Sequence, residues 1–502
     1  MVCQASLGSE IVEWPYPIKY DVVNRVEVDV LVVGGGLAGG MAGIAAARRG
    51  ATVAVVDKAP IRISGNGGAG MDHWNSILDN PKSPMTPEEN AERALEFRGL
   101  AHRDYIAMKG TWDALMELEK LGLPIRDEDG DFVGALTRDE ETQLLKAYDY
   151  QHMIAIKLRG GHYIKPVIFE GLKKEKTVSL YERVMVTSLL TEGGRQGSRV
   201  VGATGFSMTT GEFYVFNAKS VILTTGYVCS CWIFSTEITG NSYRWDPNEI
   251  GEGLAMAWNA GAQVYGMHKA GNTSGSHPFA WPRFGGGNPY NTWFPCTIVD
   301  NNGKEVPWED ANGNPVTSVE ARNMPVEGQP YIASGKSDNL KCITMPKLIH
   351  DLPERIRKGE FELPLWADLS GMPEEERRSI WGMMIGNEGK TRYTLFDYYT
   401  RAGFNPDTDM LMAPIMSPEG YKSGGWFHGE PDAVKPWRTE NNNGQGEVAN
   451  DWNLMTTVEG LFCAGATSGL EGCSYACSSG IYAGNRAVEF AQRVSLGAID
   501  EE

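Results

Sequence analysis

Near the start of the chain, apolar positions first form a run and then fall at helical spacing. Val28-Asp29-Val30-Leu31-Val32-Val33 is an almost continuous apolar stretch, the texture of a strand buried on both faces. It runs directly into Gly34-Gly35-Gly36-Leu37-Ala38-Gly39-Gly40, and a small-residue helix is predicted from Met41 to Arg49. After Gly50, a second buried strand from Thr52 to Val56 ends in Asp57. Strand, helix and strand in this order make a βαβ unit, the building block of a parallel sheet. Residues 87–121 carry a helical pattern in two pieces, with Trp112, Leu115, Leu118 and Leu121 marking a buried face. Another helix is predicted near 166–174, with Pro166 in its first turn.

Past residue 181 the period changes to that of strands: 183–190, 200–208, 212–216 and 220–224, a meander feeding back into the sheet. Residues 271–408 are rich in Pro, Gly, Asn and Trp, with helices predicted only around 345–358, 373–385 and 391–401. Regular patterning returns with a strand at Leu461-Phe462-Cys463-Ala464-Gly465 and a helix from Gly480 to Arg493. The expected organisation is an N-terminal extension over 1–26, one domain split into 27–270 and 409–495, and a capping lobe over 271–408 inserted between its halves.

The glycines at the first strand end carry chemistry. Gly34-x-Gly36-x-x-Gly39 lies between a strand and a helix, and Asp57 closes the next strand about twenty residues on. The first glycine permits the tight turn, the second lets the backbone approach a pyrophosphate, and the third allows close helix packing. The helix N-terminus adds positive partial charge, and Asp57 can accept hydrogen bonds from a ribose. A second glycine-rich turn, Ser64-Gly65-Asn66-Gly67-Gly68-Ala69-Gly70, follows, where the other half of a long dinucleotide would need close backbone approach. Val221-Ile222-Leu223-Thr224-Thr225-Gly226 and Gly460-Leu461-Phe462-Cys463-Ala464-Gly465 are further strands that end in glycine.

Composition narrows the classes. Of 502 residues, 42% are apolar and 22% charged, which fits a water-soluble globular chain rather than a disordered or bilayer-spanning one. The net charge of −18 disfavours nucleic acid and anionic membrane surfaces. The eight cysteines form no CxxC pair, cluster run or zinc spacing, and no histidine motif joins them, so no metal is expected. No leader pattern opens the chain and no stretch reaches ~18 apolar residues, so membrane insertion is not expected and a reducing cytoplasm is the expected compartment.

These glycine-rich blocks resemble the flavoproteins of the succinate dehydrogenase and fumarate reductase superfamily. Within it, Tyr163-x-Lys165-Pro166, Tyr181-Glu182-Arg183-Val184, Phe213-Tyr214-Val215-Phe216, Pro282-Arg283-Phe284, Met455-Thr456-Thr457-Val458 and Ser478-Ser479-Gly480 are most similar to the flavoprotein (alpha) subunits of adenylylsulfate reductases. The resemblance implies an α/β fold: a Rossmann-like FAD-binding domain of the glutathione-reductase type with an inserted α+β capping domain. It implies FAD contacts from Gly34, Gly36, Leu37, Ala38, Gly39, Asp57, Lys58, Ser64, Gly65, Asn66, Gly68, Ala69, Gly70, Met185, Thr225, Gly226, Gly465, Ala466, Ser478 and Ser479. Respiratory relatives place a histidine bonded covalently to the flavin where Gly65 stands, so non-covalent FAD is expected.

Candidate side chains for the reaction are His73, Arg283, Tyr421, Lys422 and Tyr475. His73 follows a loop that faces the isoalloxazine in relatives. Arg283 matches an arginine near the adenylylsulfate reductase substrate, whereas that family's active-site histidine corresponds to Glu419, with Tyr421 and Lys422 beside it. The arginines with which soluble fumarate reductases grip and protonate a dicarboxylate are missing from Tyr290–Cys296 and from Gly469–Tyr475. The sequence therefore points to an FAD-dependent oxidoreductase other than a fumarate reductase, acting on a small organic substrate at flavin N5. By resemblance it would exchange electrons with a small ferredoxin-like iron–sulfur subunit. The alternatives are a stand-alone flavin ene-reductase or dehydrogenase on a nonpolar or aromatic substrate, and a non-catalytic flavin-binding structural subunit. Homo-oligomerisation stays open.

Overall fold

The computed structural model describes residues 14–71, 101–125, 161–228, 248–272, 297–309, 351–368, 442–470 and 472–499, together with shorter stretches between them. Its centre is a seven-stranded sheet. Strands β1 (Val23–Val33), β2 (Val53–Asp57), β6 (Val178–Glu182) and β9 (Phe213–Leu223) run parallel in the order β6-β2-β1-β9. β18 (Leu461–Cys463) joins the far side of β9, also parallel. β8 (Val200–Ser207) and β7 (Val184–Thr191) extend the sheet from β9 as an antiparallel meander.

Both faces of the parallel strands are apolar, as their near-continuous hydrophobic runs require. Val30, Val32, Val53 and Val55 point into one core, and Leu31, Val33, Ala54 and Val56 into the other. The first core is closed by helices α1 (Leu37–Arg48), α3 (Thr111–Leu121), α4 (Ile164–Lys174) and α7 (Cys473–Ala491), with α2 (Ala101–Lys109) packed against α7. The second is covered by the meander and by α5 (Glu252–Ala260).

Two helices start earlier than the sequence pattern suggests. α1 begins at Leu37, inside the glycine motif, because only Gly34 takes a left-handed backbone (φ +101°). Gly39, Gly40 and Gly43 are helical, and their missing side chains admit the Gly34 carbonyl, Ile168 and Leu172. α7 begins at Cys473 rather than Gly480, since its serines and glycines obscure the apolar period while packing α1 closely. β9 is one strand where a break was expected at 217–219: Asn217 Nδ2 donates to the Gly497 carbonyl at 3.3 Å, although its Oδ1 is buried without a partner among the described residues, and Lys219 pairs with Asp29 at 2.8 Å, so both polar residues are anchored within the strand.

A short sheet joins β3 (His73–Trp74) to β5 (Met153–Lys157) and β4 (Lys146–Tyr150). β10 (Val264–Asn272) and β17 (Asn442–Val448) pair antiparallel, so the chain leaves towards the intervening segment and returns from it side by side. In that segment β12 (Glu305–Val306), β11 (Ile298–Val299), β15 (Trp366–Ala367) and β16 (Leu411–Met412) form a small antiparallel sheet. β13 (Trp308–Glu309) pairs with β14 (Lys347–Leu348), and the helix expected over 345–358 is confined to α6 (Leu352–Arg357), because residues 347–348 are taken up by this pairing. The predicted helices at 373–385 and 391–401 lie outside the described residues. Among the described residues no helix is long and apolar enough to cross a membrane, and no cluster of His, Cys, Asp or Glu could hold a metal ion.

Candidate functional site

The turn between β1 and α1 is fixed peptide by peptide. Gly34 N–H donates to the Val56 carbonyl at 2.8 Å, and Gly35 N–H to Asp57 Oδ2 at 2.6 Å. Thr224 Oγ1, at the end of β9, donates to the Gly34 carbonyl at 2.6 Å. An added Cβ at Gly34 would stand 2.5 Å from the Thr224 carbonyl oxygen, and one at Gly39 only 1.8 Å from the Gly34 carbonyl oxygen. Glycine is required at both for packing. Gly36, the N-cap of α1, differs: an added Cβ would meet no protein atom within 4 Å. That open space lies at the positive end of a helix dipole, where a diphosphate is best stabilised. Asp57 spends one lone pair of Oδ2 on Gly35 and one of Oδ1 on Ala59 N–H at 2.8 Å, so each oxygen keeps a lone pair with which to accept a ribose hydroxyl.

The second glycine-rich turn is brought onto the first. Gly65 has φ +70°, and its ideal Cβ position lies 3.6 Å from Gly36 Cα and 4.0 Å from Glu249 Oε1. Buried Glu249 ties two loops together by accepting from Asn66 Nδ2 at 2.8 Å and from Tyr227 N–H at 2.9 Å. Gly226, in left-handed conformation, makes room for it, since a Cβ there would sit 2.5 Å from its carboxyl. Ser64 is buried with Oγ directed at the Ile61 carbonyl. Gly68 N–H donates to the Gly65 carbonyl and Gly70 N–H to the Gly67 carbonyl, which closes the short turn containing Ala69.

The remaining expected residues fall around these loops in different roles. Leu37 and Ala38 are buried in the first turn of α1. Lys58 is ion-paired with Glu252. Met185 is half-buried in β7 opposite Phe206. Thr225 lies 3.4 Å from Thr467, hydroxyl to hydroxyl, and Thr467 donates to the Gly226 carbonyl at 3.3 Å. Gly465 N–H donates to Ser479 Oγ at 3.0 Å, and Ala466 is half-buried in the same turn. Ser478 Oγ donates to the Ala107 carbonyl at 2.6 Å, which fastens α7 to α2, whereas Ser479 Oγ donates within α7 to the Tyr475 carbonyl at 2.6 Å and reaches outside the helix by accepting from Gly465 N–H. Tyr475 is half-buried in the first turn of α7, and His73 stands in β3 opposite Lys157. Arg283, Tyr421 and Lys422 lie outside the described residues.

Sequence reasoning missed three contributors: Thr224, Glu249 and Lys165. Glu249 carries no motif signal, being one of three carboxylates along the sequence, with Asp246 and Glu252, around the start of α5. Lys165 lies within Tyr163-x-Lys165-Pro166 but looks like a surface residue at a helix start. In the structure it is fully buried and donates to the Gly35 carbonyl. Burial pushes its ammonium down to about 8, against the upward pull of Asp57, Cys477 and Glu182.

Two glycine loops on one face, an open helix N-terminus and a carboxylate at the second strand end fit an extended dinucleotide, with its diphosphate at Gly36 and its adenosine ribose at Asp57. The protein is an FAD-binding protein. The FAD binding domain family matches residues 29–284, and the chain belongs to that family. The alpha subunit of adenylylsulfate reductase from Megalodesulfovibrio gigas is 26% identical over 303 residues, which make up 55% of this chain and 42% of that one. A fumarate reductase (CoM/CoB) polypeptide of Methanothermobacter marburgensis is 27% identical over 246 residues, 48% of this chain and 41% of its own. The match thus spans about two fifths of these relatives. Among solved structures, adenylylsulfate reductase from Archaeoglobus fulgidus superposes with a TM-score of 0.61 at 22% identity, covering 98% of this chain and 74% of that one. The quinol fumarate reductase of E. coli gives 0.59 at 15% identity, covering 95% and 72%. Both share its fold.

Proposed function

We propose that the chain is the flavoprotein component of a two-part system: it takes electrons from, or passes them to, a small iron–sulfur protein and acts on a small organic substrate at flavin N5. The observation that carries this reading is the likeness, in sequence and in fold, to a protein that is itself one part of an assembly, the alpha subunit of adenylylsulfate reductase. The single dinucleotide fingerprint, already matched to FAD, supports it too, because NADH then has no fingerprint of its own.

Bound FAD supplies the hydride or electron-pair chemistry. The chain supplies position and charge. Gly34 to Gly39 and the α1 N-terminus hold the diphosphate, and Asp57 orients the adenosine. Glu249 keeps the loops at Asn66 and Tyr227 in a fixed relation to each other. Arg283 is assigned the fixed cation beside the substrate, with Tyr421, Lys422, Tyr475 and His73 as the groups from which a proton can be moved.

Dicarboxylate reduction is not part of this reading. The turn at Gly469–Tyr475 carries no arginine. The buried guanidinium near it, Arg103, is held by Glu447 and by the Ser468 carbonyl at 2.8 Å. The expected outcome is that FAD-loaded protein, reduced anaerobically, reoxidises far more slowly than ~1 s⁻¹ with fumarate, yet exchanges electrons with a ferredoxin-like protein and not with NADH. Rapid turnover of fumarate, or reduction by NADH alone, would reject the proposal. The second outcome would favour a stand-alone flavoenzyme.

A further inference from the structure

Lys165 stands in the first turn of α4 with no exposed surface, and its ammonium donates to the Gly35 carbonyl. In a trans peptide the carbonyl and the following N–H point in opposite directions. Drawing the Gly35 carbonyl inward onto Lys165 therefore turns Gly36 N–H outward, at the residue around which the protein leaves open space. The preceding peptide is held in the complementary sense, with Gly35 N–H on Asp57 and the Gly34 carbonyl on Thr224. Two successive peptide planes are thus set by three side chains from three elements, α4, the end of β2 and the end of β9.

The surroundings explain why a charge is kept there. Asp57 and Glu182 are register partners at the ends of β2 and β6, and Cys477 of α7 is the other titratable group acting on the ammonium. A buried lysine carries a desolvation cost unless opposite charge compensates it. The two carboxylates do so in part, and a diphosphate at the α1 N-terminus would add to them.

We propose that Lys165 is a positioning residue for the cofactor's diphosphate, fixing the peptide plane between Gly35 and Gly36 and placing a buried positive charge beneath the N-terminus of α1. This role is independent of what the flavin reduces or which partner supplies electrons. What Lys165 serves is the diphosphate, so ADP depends on it as FAD does, and adenosine does not.

The test is Lys165→Met, which keeps an unbranched stem and removes the donor and the charge. With flavin-stripped protein, the dissociation constants for FAD and ADP should both rise about 30-fold or more, while that for adenosine stays within about threefold. FAD and ADP affinities within about threefold of the parent would overturn the proposal, as would an equal loss for adenosine, which would signal general damage to the site. If the variant does not fold, the parent decides. Burial lowers the Lys165 ammonium in stripped protein to about 8 and an adjacent diphosphate favours its charged form, so binding of FAD or ADP, followed from about pH 7 to about pH 10, should take up protons within that range, measured as a dependence of binding heat on buffer ionisation enthalpy. Absence of uptake would overturn the proposal.

Discussion

Replacing Gly36 by valine should give a folded, colourless protein. The residue has φ −64° and ψ −162°, extended backbone that any amino acid adopts, and an added Cβ meets no protein atom within 4 Å. The folded chain therefore has little to object to, and stability should stay within about 0.5 kcal/mol of the parent. The cofactor does object, because the new side chain fills the space its diphosphate needs at the helix N-terminus. FAD affinity should fall by about 10²-fold or more, some 2.7 kcal/mol. Flavin content per chain and the denaturation midpoint, measured on the same preparation, read the two effects separately. Normal flavin content would show that the diphosphate lies elsewhere.

The second large effect falls on folding. Gly480 of α7 faces the first turn of α1, and a Cβ there would stand 2.2 Å from the Ala38 carbonyl oxygen. Gly484, one turn on, meets the Ala42 carbonyl oxygen at 2.5 Å. The atoms in the way are backbone and cannot rotate aside, so Gly480→Val has to push the helices apart. Overpacking of this kind costs about 1–3 kcal/mol or more. Because the displaced residue belongs to the turn to which the proposed function assigns the diphosphate, flavin affinity should fall with stability. Denaturant unfolding should show a lowered midpoint at unchanged slope. A midpoint equal to the parent's would mean that α1 and α7 do not touch as described.

The parallel core was legible because its strands are buried on both faces and read as unbroken apolar runs, as in Val53–Val56. The fingerprint was legible because each of its glycines answers a separate steric demand. Helix starts were not, since glycine and serine at α1 and α7 serve close packing yet resemble breakers. Glu249 and Lys165 were invisible for a different reason. A carboxylate and an ammonium read as solvent-facing along a sequence, and only the tertiary structure shows them buried against backbone N–H and carbonyl groups of the glycine loops. Arg283, Tyr421 and Lys422 remain proposals carried by resemblance.

The most direct test of a chain built to hold FAD without a covalent bond is acid precipitation of the purified protein, with mass analysis of the supernatant. Gly65 offers no side chain to the flavin, and in the proposed site the glycine loops would hold it through backbone N–H groups and charge, so a colourless precipitate and about one equivalent of intact FAD are expected. A precipitate that stays yellow, or a supernatant with no FAD, would contradict the account.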